Sequence, residues 1–279
     1  MMATMQINGF QMHYEVTGSG PNLLLLHGLG SSAEDWEYQR DACAMHHRVV
    51  ACDLRGHGRS ERPDGPYSIA GFATDVAALV DALAIERIHV VGISMGGMVA
   101  LQLAADRPDL IDRLVIVNSA GEVVPSGLQW LAVFQRLAIT RVFGLPRMGR
   151  VVARKLFPSE AQRELRETFA SRFGRNDKHA YLNSVHAIVG WSVRERLSAI
   201  DAPTLWVSGD RDYTPVSVKE PFVAEMPDAQ LRVVSDSGHA TPMDQPGVFN
   251  DMVLDFLGSA DAQPVHQQRG DGLHAALRA

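Results

Sequence analysis

The sequence predicts an α/β fold: a mostly parallel eight-stranded sheet with helices on both faces and an inserted helical cap. Three observations carry this. Short continuous apolar runs, such as Asn22–Leu26 and Arg48–Cys52, recur along the chain and suit strands buried on both faces. Amphipathic helical patterns separate them, and strands alternating with helices imply right-handed parallel crossovers. The alternation fails once, over residues 121–197, where helix formers and aromatic residues replace strand runs.

In chain order, residues 5–7 and 10–16 flank Asn8-Gly9, a type I′ hairpin signal. Further strand runs fall at residues 22–26, 48–52, 87–92, 114–118, 204–208 and 230–234. Phe72, Val76, Leu79, Val80 and Leu83 form one face of a helix, with Ser68 as its N-cap. Residues 95–107 form a second helix stopped by Pro108, and residues 249–257 a third. The expected division is a core of residues 1–120 and 198–258, a cap of residues 121–197, and a disordered tail of residues 259–279.

The chain has 279 residues, enough for a core that needs no disulfide or metal staple. Its net charge of −6 argues against nucleic acid as a partner. No apolar run approaches the ~20 residues of a membrane span. No secretory leader is expected at the start, and two isolated cysteines, Cys43 and Cys52, fit a reducing compartment. A cytoplasmic location is therefore expected. Lysine occurs only at 155, 178 and 219, and no function is read into that scarcity. Neither metal-ligand spacing nor a phosphate loop is present, so no cofactor is expected. Oligomeric state is left open, with a homodimer allowed.

The strongest local signal is Gly92-Ile93-Ser94-Met95-Gly96-Gly97, between an apolar run and a helix. A serine at such a turn is held with its hydroxyl pointing out of the fold. It needs a base to become a nucleophile. Of eleven histidines, His239 in Ser237-Gly238-His239 follows the last strand run, where open α/β sheets build their sites. His27 and His57 read as structural turn residues. The base needs an orienting carboxylate, and Gly209-Asp210-Arg211-Asp212 follows the preceding strand run. Either aspartate could serve. Asp212 is preferred because it lies further out on the loop, whereas Asp210 reads as a turn residue. The N–H groups of Met95 and of Leu29, in His27-Gly28-Leu29-Gly30, are the expected oxyanion donors. Trp130, Phe134, Trp191 and Met243 are candidates for an apolar substrate pocket, although packing in the core of the cap explains most of them. Arg136, Arg141, Arg147 and Arg150, set among apolar residues, could touch a membrane or an anionic substrate, but an ordinary amphipathic cap helix is the preferred reading.

These segments, in this order, resemble the α/β-hydrolase superfamily over residues 6–258. The elbow, the His-Gly-Leu-Gly loop, Asp53-Leu54-Arg55-Gly56-His57-Gly58-Arg59-Ser60, the Asp212 loop with Pro215, and Gly238-His239 with Asp244 and Pro246 carry the likeness. The resemblance implies that the second aspartate, Asp212, is the triad acid. It also implies cleavage of a carboxylic ester of a small apolar substrate through an acyl-serine, with esterases and enol-lactone hydrolases as the nearest branch. C–C bond hydrolysis stands behind these, because Ala240 occupies a place where many such enzymes carry Trp. Two competing classes are a slow-turnover ligand receptor and a cofactor-free haloperoxidase or perhydrolase. A small-molecule ester or lactone is the expected partner.

Overall fold

A computed structural model describes residues 1–258; the expected tail lies outside the described residues. Eight strands form one sheet: β1 (Met2–Ile7), β2 (Phe10–Thr17), β3 (Asn22–Leu26), β4 (Arg48–Cys52), β5 (Ile88–Ile93), β6 (Ile111–Val117), β7 (Thr204–Gly209) and β8 (Ala229–Val234). Their spatial order is β1-β2-β4-β3-β5-β6-β7-β8. β2 runs antiparallel to β1 and β4, and every other pairing is parallel. The hairpin between β1 and β2 turns at Asn8 and Gly9, both with positive φ, as a type I′ turn requires.

The period of two in each strand builds two cores. Leu24, Leu26, Val50, Val90, Ile116 and Trp206 face α2 (69–82) and α3 (95–106) on one side. Leu23, Leu25, Val49, Val91, Val115 and Val207 pack on the other. There they meet Trp36, Cys43 of α1 (37–44), and Phe249 and Val253 of the C-terminal helix. Helix α2 starts where expected, with Ser68 Oγ accepting from Gly71 N at 2.9 Å.

Between β6 and β7 the chain leaves the sheet. It forms α4 (Gln129–Leu156), kinked at Gly144 where φ is 74°, then α5 (Arg163–Gly174) and α6 (Lys178–Ile188). A third cluster, including Leu145, Phe157, Phe169, Phe173 and Tyr181, joins these helices. It reaches the core through Ala240 and Met243. Helices α7 (Val216–Ala224), α8 (Thr241–Asp244) and α9 (Pro246–Gly258) complete the described residues.

The sheet differs from expectation mainly at its margins. β1 begins at Met2, five residues before its apolar end, because an edge strand alternates exposed and buried positions and leaves no continuous run. Helix α1 buries only Gln39 and Cys43, too little for a periodic signal. No helix among the described residues is long and apolar enough to cross a membrane.

Candidate active site

The carboxyl ends of the central strands deliver the site. Ser94 follows β5 with φ 54° and ψ −117°, a strained conformation for a residue with a side chain, and α3 starts immediately after it. The flanking glycines are dictated by close approach. A Cβ on Gly92 would lie 2.3 Å from Gly96 O, and one on Gly96 would lie 2.1 Å from Leu26 O. The turn is pinned by Ser94 N donating to Val117 O (2.9 Å) and Ser119 Oγ donating to Ser94 O (2.7 Å). The loop after β3 comes close: a Cβ on Gly28 would sit 3.5 Å from Ser94 Cβ. The Gly28 main chain thus lies beside the serine, Leu29 lines the same cavity, and Met95 heads α3.

His239 and Asp212 meet, with His239 Nδ1 2.8 Å from Asp212 Oδ1. The Nδ1–H donates to the carboxylate, which leaves Nε2 to accept a proton. Asp212 Oδ1 also accepts from Thr214 N at 3.1 Å. Asp210 instead is exposed and accepts from Ser237 N at 3.0 Å, a turn role. Ser94 and His239 line one cavity of about 550 Å³. No hydrogen bond joins their side chains among the described residues, a gap that substrate commonly closes.

A buried lysine stands behind the acid. Lys219 of α7 is fully buried and donates to Asp212 Oδ2 (2.7 Å), Ser208 Oγ (2.9 Å) and Thr214 O (2.6 Å). Burial pushes the Asp212 carboxyl up, but the hydrogen bond from His239 and the Lys219 ammonium outweigh it, so its pKa lies below the usual range. Burial pulls the lysine down, and its pairing with Asp212 offsets only part of that. The sequence reading gave Lys219 no role. One signal was present: a cation in the first turns of a helix opposes the helix dipole and needs another reason to be there.

Other polar clasps were also missed. Asn118, with φ 45°, donates to Gly238 O, His239 O and Thr241 Oγ1, and accepts from Gly209 N at 2.9 Å. It ties the loops after β7 and β8 together. Asp244 accepts from Ser237 Oγ (2.8 Å) and Gly238 N (2.7 Å), fixing the backbone just before His239. Asp53 accepts from Ala33 N and Arg59 N, holding the loops after β3 and β4. His27 is structural, as its sequence position suggests. Its Nδ1–H donates to Gly28 O and its Nε2 accepts from Leu54 N, while burial lowers its pKa to about 4. Burial likewise pulls His57 down to about 3.

The expected substrate-pocket residues divide. Met243 lines the cavity, as does Leu29. Trp130, Phe134 and Trp191 do not. Trp130 and Phe134 are 41% and 61% exposed and pack against each other on the outside of α4. Trp191 turns to the core side, where its Nε1 donates to Gln102 Oε1 at 2.9 Å. Aromatic content marked the helical segment correctly as apolar but said nothing of which face meets the cavity. Val133, Val152, Leu156, Phe169 and Ile188 supply that wall instead. Tyr213 lines it too, stacked on the His239 ring at 4.2 Å.

Known proteins give the same frame. A protein of Variovorax paradoxus, provisionally named a carbamate hydrolase (RutD), is 36% identical over 269 residues, covering 91% of this chain and 98% of its own. The crystal structure of an enol-lactonase from Burkholderia xenovorans superposes with a TM-score of 0.86 at 28% identity, covering 92% of this chain and 100% of that one. A hydrolase from Pseudomonas aeruginosa gives 0.85 at 29%, covering 92% and 98%. The family model of the alpha/beta hydrolase fold matches residues 21–246. With the eight-stranded sheet and its loops in place, the chain belongs to the alpha/beta hydrolase family.

Proposed function

We propose that the protein is a serine hydrolase that cleaves a carboxylic ester of a small, largely apolar substrate through an acyl-serine intermediate. The observation that carries this is the strained Ser94 facing the same cavity as a His239 whose Nδ1 is held by Asp212. Ser94 Oγ attacks the carbonyl carbon while His239 Nε2 takes its proton. The Leu29 and Met95 N–H groups receive the oxyanion. The tetrahedral intermediate collapses, and the alcohol leaves with the proton from His239. Water, deprotonated by His239 in turn, releases the acid and restores the serine.

A lactone is the second substrate reading, favoured by the likeness to the Burkholderia enol-lactonase. A lactone carbonyl presents the same centre, and its alcohol stays tethered to the acyl group. We place the enzyme in the cytoplasm, in keeping with two buried, unpaired thiols, Cys43 and Cys52.

The test is a panel of nitrophenyl esters and lactones with the wild type and Ser94→Ala. The wild type is expected to turn over one class and to be labelled by a fluorophosphonate, and the variant to do neither. Hydrolysis by Ser94→Ala at the wild-type rate would end the proposal.

A further inference from the structure

Arg136 of α4 lines the cavity that holds Ser94 and His239. Its Nε donates to the Tyr181 hydroxyl at 2.6 Å, and its guanidinium lies over that ring, 5.7 Å from the centroid. The tyrosine fixes one edge of the fork. No carboxylate pairs with Arg136 among the described residues, and a guanidinium does not shed its charge. The cavity wall also carries two carboxylates, Asp35 and Glu122. Both are already engaged: Asp35 with Arg172 at 3.1 Å and Glu122 with Arg194 at 3.1 Å. His27, also on the wall, is kept neutral by burial.

The wall therefore bears one uncompensated cation in apolar surroundings. An ionised group in such a place is costly unless paired. A second cation reinforces it. Lys155 Nζ sits 4.2 Å from the centroid of Tyr213, which also lines the cavity.

We propose that Arg136 is an anion subsite, and that the substrate is an ester or lactone carrying a carboxylate remote from the scissile carbonyl. The two Nη groups present the planar fork that takes a carboxylate by paired hydrogen bonds. The apolar wall receives the carbon chain between the two ends. This rests on the acyl-transfer reading of the Ser94 site.

Two matched pairs of esters test it. One pair is the mono-4-nitrophenyl ester of a six-carbon diacid against 4-nitrophenyl hexanoate, which puts the charge on the acyl side. The other is 4-carboxyphenyl hexanoate against phenyl hexanoate, which puts it on the leaving group. In at least one pair the wild type is expected to favour the charged ester by ~10-fold or more in kcat/KM, the scale of a hydrogen bond to a charged group. Arg136→Met should bring that ratio to about one, and Arg136→Lys should retain part of it. High salt should erode the wild-type preference, a readout independent of any variant's folding.

No preference for the charged ester in either pair would overturn the anion subsite. So would a preference that survives Arg136→Met. Failure to hydrolyse any of the four esters, with no fluorophosphonate labelling, would instead remove the acyl-transfer reading and this subsite with it.

Discussion

The loops at the carboxyl edge of the sheet and the helices between β6 and β7 are built on opposite plans. Each edge loop is locked by a buried or half-buried polar side chain: Asp53, Asn118, Asp244, and Asp212 with Lys219. The helical segment is held together by an apolar cluster, part of which lines the cavity, while its outer surface carries exposed ion pairs such as Arg163–Glu167. Leu128, Leu131, Phe134, Val142 and Phe143 on or beside α4 are more than half exposed. Several of its polar ties to the core come from α5 and from Asn176, two residues beyond it. There Arg172 reaches Asp35 and Glu37, and Asn176 Nδ2 donates to Gly30 O at 2.8 Å. Reacting groups must hold their geometry to within fractions of an ångström, so their supports are rigid and satisfied. A wall that selects substrate has only to present shape and charge.

Perturbing the two regions should separate these roles. The largest effects belong to the edge loops. Ser94→Ala and His239→Ala are each expected to lower kcat by ~10⁴–10⁶. Asp212→Asn should cost ~10⁴, as loss of the orienting acid does in a triad, whereas exposed Asp210→Asn should stay within a few-fold. Comparable losses at 210 and 212 in steady-state kinetics would displace Asp212.

Lys219→Met comes next. Removing one partner of a buried ion pair strands the other, so thermal or denaturant unfolding should report a loss of ~3–5 kcal/mol. A second readout separates positioning from packing. Without the ammonium the Asp212 carboxyl titrates higher, so the loss of activity that follows its protonation, at the acid end of the kcat/KM profile, should begin at a higher pH. An unchanged pH profile would reduce Lys219 to a structural residue.

A smaller effect concerns acid stability. His27 and His57 are buried neutral, with pKa values depressed to about 4 and about 3. The unfolded chain takes up their protons first, so their stabilisation is complete above the ordinary histidine range and falls as pH drops below it. Each can contribute up to about 1.4 kcal/mol of lost stability per pH unit over that interval. His57→Gln should flatten the decline between pH 6 and pH 4 in denaturant titrations. A slope equal to that of the wild type would contradict the assignment.

The smallest effects should fall on the outer face of α4. Trp130→Ala and Phe134→Ala lie off the cavity wall and should change kcat/KM by less than about 3-fold, since surface changes away from special features are mild. A tenfold loss at either would mean that this face touches substrate after all.

The same contrast explains what the sequence made legible. Gly92 and Gly96 are forced by contacts within one turn and its neighbouring strand, so a local motif revealed Ser94. Asp212 and His239 follow strand ends, which makes them candidates from chain order, but the preference for Asp212 over Asp210 also draws on the family resemblance. Asn118 acts on loops distant in sequence, and Lys219 turns back on the loop just before its own helix; neither residue belongs to a recognisable local pattern. The pocket was the least legible. Helical periodicity locates an apolar face but not its destination, so Trp130 and Phe134 were expected inside and lie outside. Tertiary packing decides which face of α4 turns inward: Val133, Arg136 and Val152 meet the cavity, while Trp130 and Phe134 do not.

The central claim is that chemistry passes through a covalent bond to Ser94. Intact and peptide-level mass spectrometry of the enzyme quenched during turnover of a slow ester measures this directly. One acyl adduct per chain is expected, on the peptide containing Ser94 and absent from Ser94→Ala. An adduct on another residue during productive turnover would contradict it.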